Sequence, residues 1–169
     1  MLLIGPSSVG KTAVAEALQV SLPGLWLLAG VDMFWSMLDE LSLPVGEFRT
    51  DSDEMRRITR GWHRAVAALA AEGNDVLVDE LRTHRWWLED WREVLKDIPW
   101  WSVLLTASDT ALAERERRRG DRPEGLAAED LRQHPDPALF DLVLGTTDKC
   151  VADCAAMIID LISRSENQD

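Results

Sequence analysis

Short apolar runs alternate with stretches of helical periodicity along the whole chain. Met1 to Ile4 is the first run, closed by Gly5, and Lys11 to Val20 follows with the spacing of a helix. Leu25 to Ala29 is a second run, stopped by Gly30, and Met33 to Leu41 again predicts a helix. Pro, Gly, Ser and Asp crowd the stretch from Pro44 to Asp53, as in a loop. Glu54 to Ala71 predicts a long amphipathic helix ended by Gly73 and Asn74, Val76 to Val78 a buried strand ending in Asp79, and Arg85 to Lys96 another helix. Trp100 to Leu105 is a fourth apolar run, after which Ser108 and Asp109 supply an N-cap for a helix continuing to about Arg118. A polar loop over Arg119 to Gly125, a short helix over Leu126 to Gln133, a fifth strand over Leu139 to Leu144 and a last helix over Lys149 to Ser163 complete the series. The polar tail to Asp169 is expected to fray.

Five short, nearly continuous apolar strands separated by helices predict a parallel sheet covered on both faces, a three-layer α/β/α sandwich. The first strand begins at Met1 itself, so either it is short or the native chain starts upstream. With 169 residues and 19.0 kDa the chain is expected to form one domain over 1–169. A composition of 46% hydrophobic and 28% charged residues supports a packed core and argues against disorder. Thirty acidic residues against eighteen basic ones leave a formal charge of -12, which repels nucleic-acid backbones and anionic lipid, so neither is expected as a partner. The absence of a signal-like start or an apolar run of about 18 residues makes a cytoplasmic setting the expectation. Cys150 and Cys154 read as two small buried residues on one helix face, and the scattered His63, His84 and His134 offer no metal cage with them.

One motif changes this picture. Gly5-Pro6-Ser7-Ser8-Val9-Gly10-Lys11-Thr12 matches the phosphate-binding pattern G-x-x-x-x-G-K-[ST] and sits between a strand and a helix. Its glycines let the chain curl so that successive backbone N–H groups point at phosphates, beside the positive end of the following helix. Lys11 is expected to reach the β and γ phosphates and the Thr12 hydroxyl to ligate Mg²⁺, which predicts the P-loop NTP hydrolase/kinase fold. Asp79, at a strand end, is a candidate for the Mg²⁺ shell, with Glu80 as its near competitor.

Asp32 follows the second strand and should face the same crevice, because ligands of open α/β sheets bind outside the carboxyl ends of the strands. It reads equally as a base for an acceptor hydroxyl or as the N-cap of a helix starting at Met33. Five arginines fall between Arg115 and Arg122, out of fifteen arginines and three lysines in all. Arg117 and Arg118 fit a solvated helix face paired with Glu114 and Glu116. Gly120 breaks the helix between Arg119 and Arg122, so a lid over about 115–125 could bring both guanidinium groups onto a migrating phosphoryl group and exclude water. Of the eight tryptophans most are expected in the core or at contacts of a homo-oligomer, whereas Met33, Phe34 and Trp35, just past Asp32, are candidates to line an acceptor pocket. His63 and His134 read as structural or surface groups.

The chain resembles the chloramphenicol phosphotransferases, small P-loop kinases related in fold to shikimate and adenylate kinases. The resemblance rests on Gly5 to Thr12, Gly30-Val31-Asp32, Asp79, Arg119-Gly120-Asp121-Arg122 and Thr146-Thr147, in order over nearly the whole chain. It implies that Asp32 deprotonates the primary hydroxyl of the antibiotic, that Arg119 and Arg122 belong to the lid, and that the loop of Thr146 and Thr147 lies near the adenine. Arg115 joins these threonines in the expected nucleotide-binding set. The segment from Ser36 to Asp53 looks shorter than its counterpart in that family, and Glu80 stands where the family tends to place a second aspartate. The expected activity is ATP- and Mg²⁺-dependent phosphorylation of chloramphenicol or a related antibiotic. The rivals are another hydroxylated acceptor, such as a sugar or nucleoside, and a non-catalytic ATP-binding regulator.

Overall fold

The computed structural model describes residues 1–38, 51–81, 84–120, 125–132 and 135–166. Its strands β1 (Leu2–Gly5), β2 (Trp26–Gly30), β3 (Asp75–Leu81), β4 (Ser102–Thr106) and β5 (Leu142–Gly145) form one parallel sheet in the order β2-β3-β1-β4-β5. Between and after them run α1 (Lys11–Ser21), α2 (Val31–Trp35), α3 (Asp53–Ala71), α4 (Arg85–Val94), α5 (Asp109–Arg119), α6 (Leu126–Arg132) and α7 (Val151–Glu166). Side chains alternate across a strand, so each strand serves two cores. Leu3, Leu77, Val103 and Leu105 pack with Val14 and Leu18 of α1, Leu112 of α5, Ala127 of α6 and Ile158 of α7. Leu2, Ile4, Val76, Val78 and Leu104 pack instead with Trp62 and Val66 of α3 and Trp91 of α4. This is the expected sandwich.

The longest helix shows why the elements form where they do. Ser52 caps α3 by accepting from the Met55 N–H at 3.3 Å, and Asp53 and Glu54 place negative charge at its positive end. Its buried residues Met55, Thr59, Trp62, His63, Val66 and Ala67 recur at three- and four-residue spacing, so one stripe faces the sheet. Each large apolar side chain so buried contributes about 1.5–3 kcal/mol.

Several boundaries differ from the hydropathy pattern. β3 runs through Asp79 to Leu81, so Asp79 lies inside the strand, in register with Leu3 and Gly30. α2 starts at Val31, two residues before the expected Met33, because extended Gly30 takes the capping position and Val31 drops its side chain into the core. It ends at Trp35, where the Ser36 hydroxyl turns back to the Met33 carbonyl at 2.7 Å; the expected extension over 39–41 and the loop from Pro44 to residue 50 lie outside the described residues. β4 opens at Ser102, leaving Trp100 and Trp101 ahead of it. β5 opens at Leu142, since Pro137–Leu139 winds as a 3₁₀ turn capped by Asp136 and the Asp141 carboxylate accepts from both the N–H and the hydroxyl of Ser102 at 2.7 Å. α7 begins at Val151, and Cys150 ahead of it is exposed, while Cys154 is buried as expected. Trp62, Trp87 and Trp91 are buried, and no helix among the described residues is long and apolar enough to cross a membrane.

Candidate functional site

β1 is the central strand, flanked by β3 on one side and β4 on the other, so the loop leaving it opens where the connections change direction. Gly5 must be glycine: a Cβ there would stand 2.5 Å from the Leu105 carbonyl oxygen. At the other end of the loop Gly10 takes a φ of 102°, left-handed backbone that bears no Cβ cost in glycine, and α1 starts immediately after it. Between them Ser8 adopts a φ of 61°, the one non-glycine positive φ among the described residues. The curl turns the loop around Lys11, whose Nζ donates to the carbonyls of Gly5 and Pro6, each at 3.0 Å.

The Thr12 hydroxyl, on the first turn of α1, donates to Asp79 Oδ2 at 2.6 Å, which joins the loop to β3. A hydroxyl and a carboxylate held together beside a phosphate loop are hard oxygen donors suited to Mg²⁺. The alternation along β3 separates Asp79 from its competitor. Asp79 faces α1, whereas Glu80 points through the opposite face, is fully buried, and accepts from Trp62 Nε1 at 3.0 Å.

A cavity of about 650 Å³ opens over the loop, lined by Ser7, Ser8, Gly10, Lys11 and Thr12, by Gly30, Val31 and Asp32, and by Asp79. Arg115, Arg118 and Arg119 of α5 line its other wall. The structure thus brings the loop, Asp32, Asp79 and two of the expected arginines to one space. Asp32 lies within the first turn of α2, whose capping position is held by Gly30 and not by Asp32. Gly120 ends α5 at a φ of 68°, breaking the helix where expected; Arg122 and Asp121 lie outside the described residues.

Arg115 is held by the protein itself: it donates to Val9 O at 3.2 Å, to Thr146 Oγ1 at 2.9 Å and to Thr146 O at 2.7 Å. Thr146 is buried and donates to Val9 O at 2.9 Å, while exposed Thr147 accepts from the Ser108 N–H at 2.9 Å. Of the residues after Asp32, Met33 is exposed, whereas the Phe34 ring lies 5.2 Å from that of Trp62 and Trp35 packs on the same core. His63 is structural: Nδ1 meets Asp90 Oδ2 at 2.6 Å, its ring stacks on Trp91 at 4.1 Å, and burial pushes its imidazole down to about 4. His134 lies outside the described residues.

Three site features escaped the motif reading. Arg118, assigned to a solvated face, pairs with Glu114 at 2.7 Å yet lines the cavity. Its spacing from Arg115 is the helical i,i+3 step, and that was the available signal. Glu16 of α1 also reaches the cavity, one turn beyond Thr12. Asp130 of α6 accepts from the Ser7 N–H at 2.7 Å, and nothing in its local sequence marks it.

Residues 1–163 match the family described as chloramphenicol phosphotransferase-like protein. The chain is 30% identical over 167 residues to the Mycobacterium tuberculosis protein named "Putative O-phosphotransferase Rv2636", a match that spans 87% of this chain and 74% of that one. Among solved structures, the APS kinase CysC of Mycobacterium tuberculosis in complex with AMPPNP and APS superposes with a TM-score of 0.72 at 21% identity, covering 96% of this chain and 95% of that chain. Shikimate kinase from Acinetobacter baumannii in complex with shikimate gives a TM-score of 0.65 at 20% identity, over 97% and 92% of the two chains. At these identities the structural likeness establishes the fold.

Proposed function

The chain belongs to the chloramphenicol phosphotransferase-like family and is an O-phosphotransferase with the P-loop kinase fold; on that footing we propose that it moves the γ-phosphate of ATP to a hydroxyl of chloramphenicol or a related antibiotic. One observation carries this reading: the single cavity that gathers the phosphate loop, the Thr12–Asp79 pair, Asp32 and Arg119. A phosphate site, a divalent-cation site, a base and a cation for the migrating charge are the parts phosphoryl transfer needs.

In this mechanism the loop N–H groups and Lys11 hold the β and γ phosphates, the ammonium being set from below by the carbonyls of Gly5 and Pro6. Thr12 and Asp79 hold Mg²⁺, which when bound offsets charge on the phosphate oxygens. Asp32 takes the proton of the acceptor hydroxyl as its oxygen attacks the γ-phosphorus. The bond from that phosphorus to the bridging oxygen breaks, and ADP leaves with the electron pair. Arg119, with Arg122, stabilises the migrating phosphoryl group. Arg115 and Thr146 shape the nucleotide side by fixing Val9, and the Thr147 loop lies next to them. On the acceptor side we assign the exposed Met33, while Phe34 and Trp35 seat α2 against the core.

Mass spectrometry of chloramphenicol incubated with the protein and Mg-ATP tests the proposal. A phosphorylated product is expected, and Asp32→Asn is expected to abolish it while ATP binding stays nearly intact. Undiminished turnover in Asp32→Asn removes Asp32 from the mechanism. ADP release with another hydroxylated compound, and none with chloramphenicol, reassigns the acceptor.

A further inference from the structure

We propose that Asp130 is a positioning residue that keeps the phosphate loop in its nucleotide-ready shape through a strut from α6. The inference rests on the reading of the cavity as a nucleotide site. A buried carboxylate must be met by hydrogen-bond donors, and the phosphate loop supplies one of them. Asp130 is 5% exposed, and its Oδ2 accepts from the Ser7 N–H at 2.7 Å across 123 residues of sequence.

The bonded amide stands next to the strained residue of the loop. Ser8 at a φ of 61° occupies backbone that L residues adopt at a cost, and the groups on either side of it are tied. Ahead of it, the Ser7 N–H is held by Asp130; after it, the Val9 carbonyl accepts from Arg115 Nη1 at 3.2 Å and from Thr146 Oγ1 at 2.9 Å. The anchor for the first tie is itself fixed. Buried Glu116 of α5 accepts from the N–H groups of Gly125 and Ala127 at 2.7 and 3.0 Å, capping the start of α6 from inside the fold. Neighbouring residues of α5, Arg115 and Glu116, therefore hold one side of the loop directly and the other through α6. The loop carries its curl before any phosphate arrives, which lowers the ordering cost of binding.

The test compares Asp130→Ala and Asp130→Asn in the full chain. Without the strut the loop relaxes away from the left-handed Ser8. Because that conformation costs of the order of a factor of ten in population, Asp130→Ala is expected to bind Mg-AMPPNP roughly tenfold more weakly by calorimetry. Asp130→Asn keeps an oxygen that can accept from the same N–H, and its affinity is expected within about threefold of wild type. The KM for the acceptor is expected to stay unchanged in both. Equal weakening in the two variants, wild-type affinity in Asp130→Ala, or an acceptor KM that moves as far as the nucleotide affinity would each overturn the strut. Amide hydrogen exchange decides the point without nucleotide: the Ser7 amide is expected to exchange slowly in the wild type and Asp130→Asn, and quickly in Asp130→Ala. Fast exchange in the wild type overturns the inference. A wild type that keeps Ser7 protected but binds no Mg-AMPPNP refutes the nucleotide reading and leaves the strut in place.

Discussion

Acidification should destabilise this protein through His63. The ring is fully buried between α3 and α4, with Nδ1 against Asp90 at 2.6 Å and the indole of Trp91 stacked at 4.1 Å. Burial outweighs the hydrogen bond and the charge of Asp90, and lowers the imidazole from its ordinary 6.5 to about 4. In the unfolded chain the ring takes up its proton as the pH falls through about 6.5, whereas in the fold it does so only near 4. Between those limits the unfolded state binds more protons, so stability falls as pH falls. Above about 6.5 both states are neutral at this site and the effect vanishes; below about 4 it is constant. A window of about 2.5 pH units, at about 1.4 kcal/mol each, makes the full loss about 3 kcal/mol. Against a stability of about 5–15 kcal/mol that is a large share, and for a chain of this size it lowers Tm by roughly 6–12 °C. Guanidinium melts followed by tryptophan fluorescence from about pH 7 to about pH 4 measure it, with His63→Gln as the reference that cannot titrate. The wild type is expected to lose about 3 kcal/mol more than the variant across the window. An imidazole that titrates near its ordinary value by NMR in the folded protein, or equal slopes in the two proteins, refutes the reasoning.

Two further substitutions probe the frame of the site. Gly5→Ala forces a Cβ to 2.5 Å from the Leu105 carbonyl oxygen and 3.0 Å from Val9 Cγ1, so β1 or the loop must shift; a loss of about 1–3 kcal/mol in denaturant melts is expected, together with a loss of nucleotide affinity by calorimetry. Trp62→Phe preserves a ring against Phe34 but strips Glu80 Oε2 of the donor at 3.0 Å. It is expected to cost about 1–3 kcal/mol in the same melts, and Glu80→Gln in that background to restore part of the loss; a neutral Trp62→Phe would mean that this bond contributes nothing net.

Much of this protein is legible in its residue order. The phosphate loop is a local object: its glycines, Lys11 and Thr12 do their work within eight consecutive residues, so spacing alone identifies it. The five strands are legible because each carries a short apolar run that packs against the helices, and Asp32 and Asp79 are legible as acids near the ends of such runs. The family likeness over residues 1–163 belongs to the same level, since it too is carried by residue order. What the sequence left open turns on direction and distance. Whether Asp79 or Glu80 faces the loop depends on which side chain falls on which face of β3, and the strand runs to Leu81 because β1 pairs with it that far, Gly5 opposite Leu81, while β2 stops at Gly30 opposite Asp79. Whether Asp32 caps a helix depends on Gly30, which takes the capping position, and on Val31, whose burial starts α2 early. Asp130 and Glu116 could be recognised only in the fold, because their partners, the N–H groups of Ser7 and of Gly125 and Ala127, carry no side-chain signature. Backbone amides are the same at every residue, so what they bind is decided by tertiary packing and not by residue type.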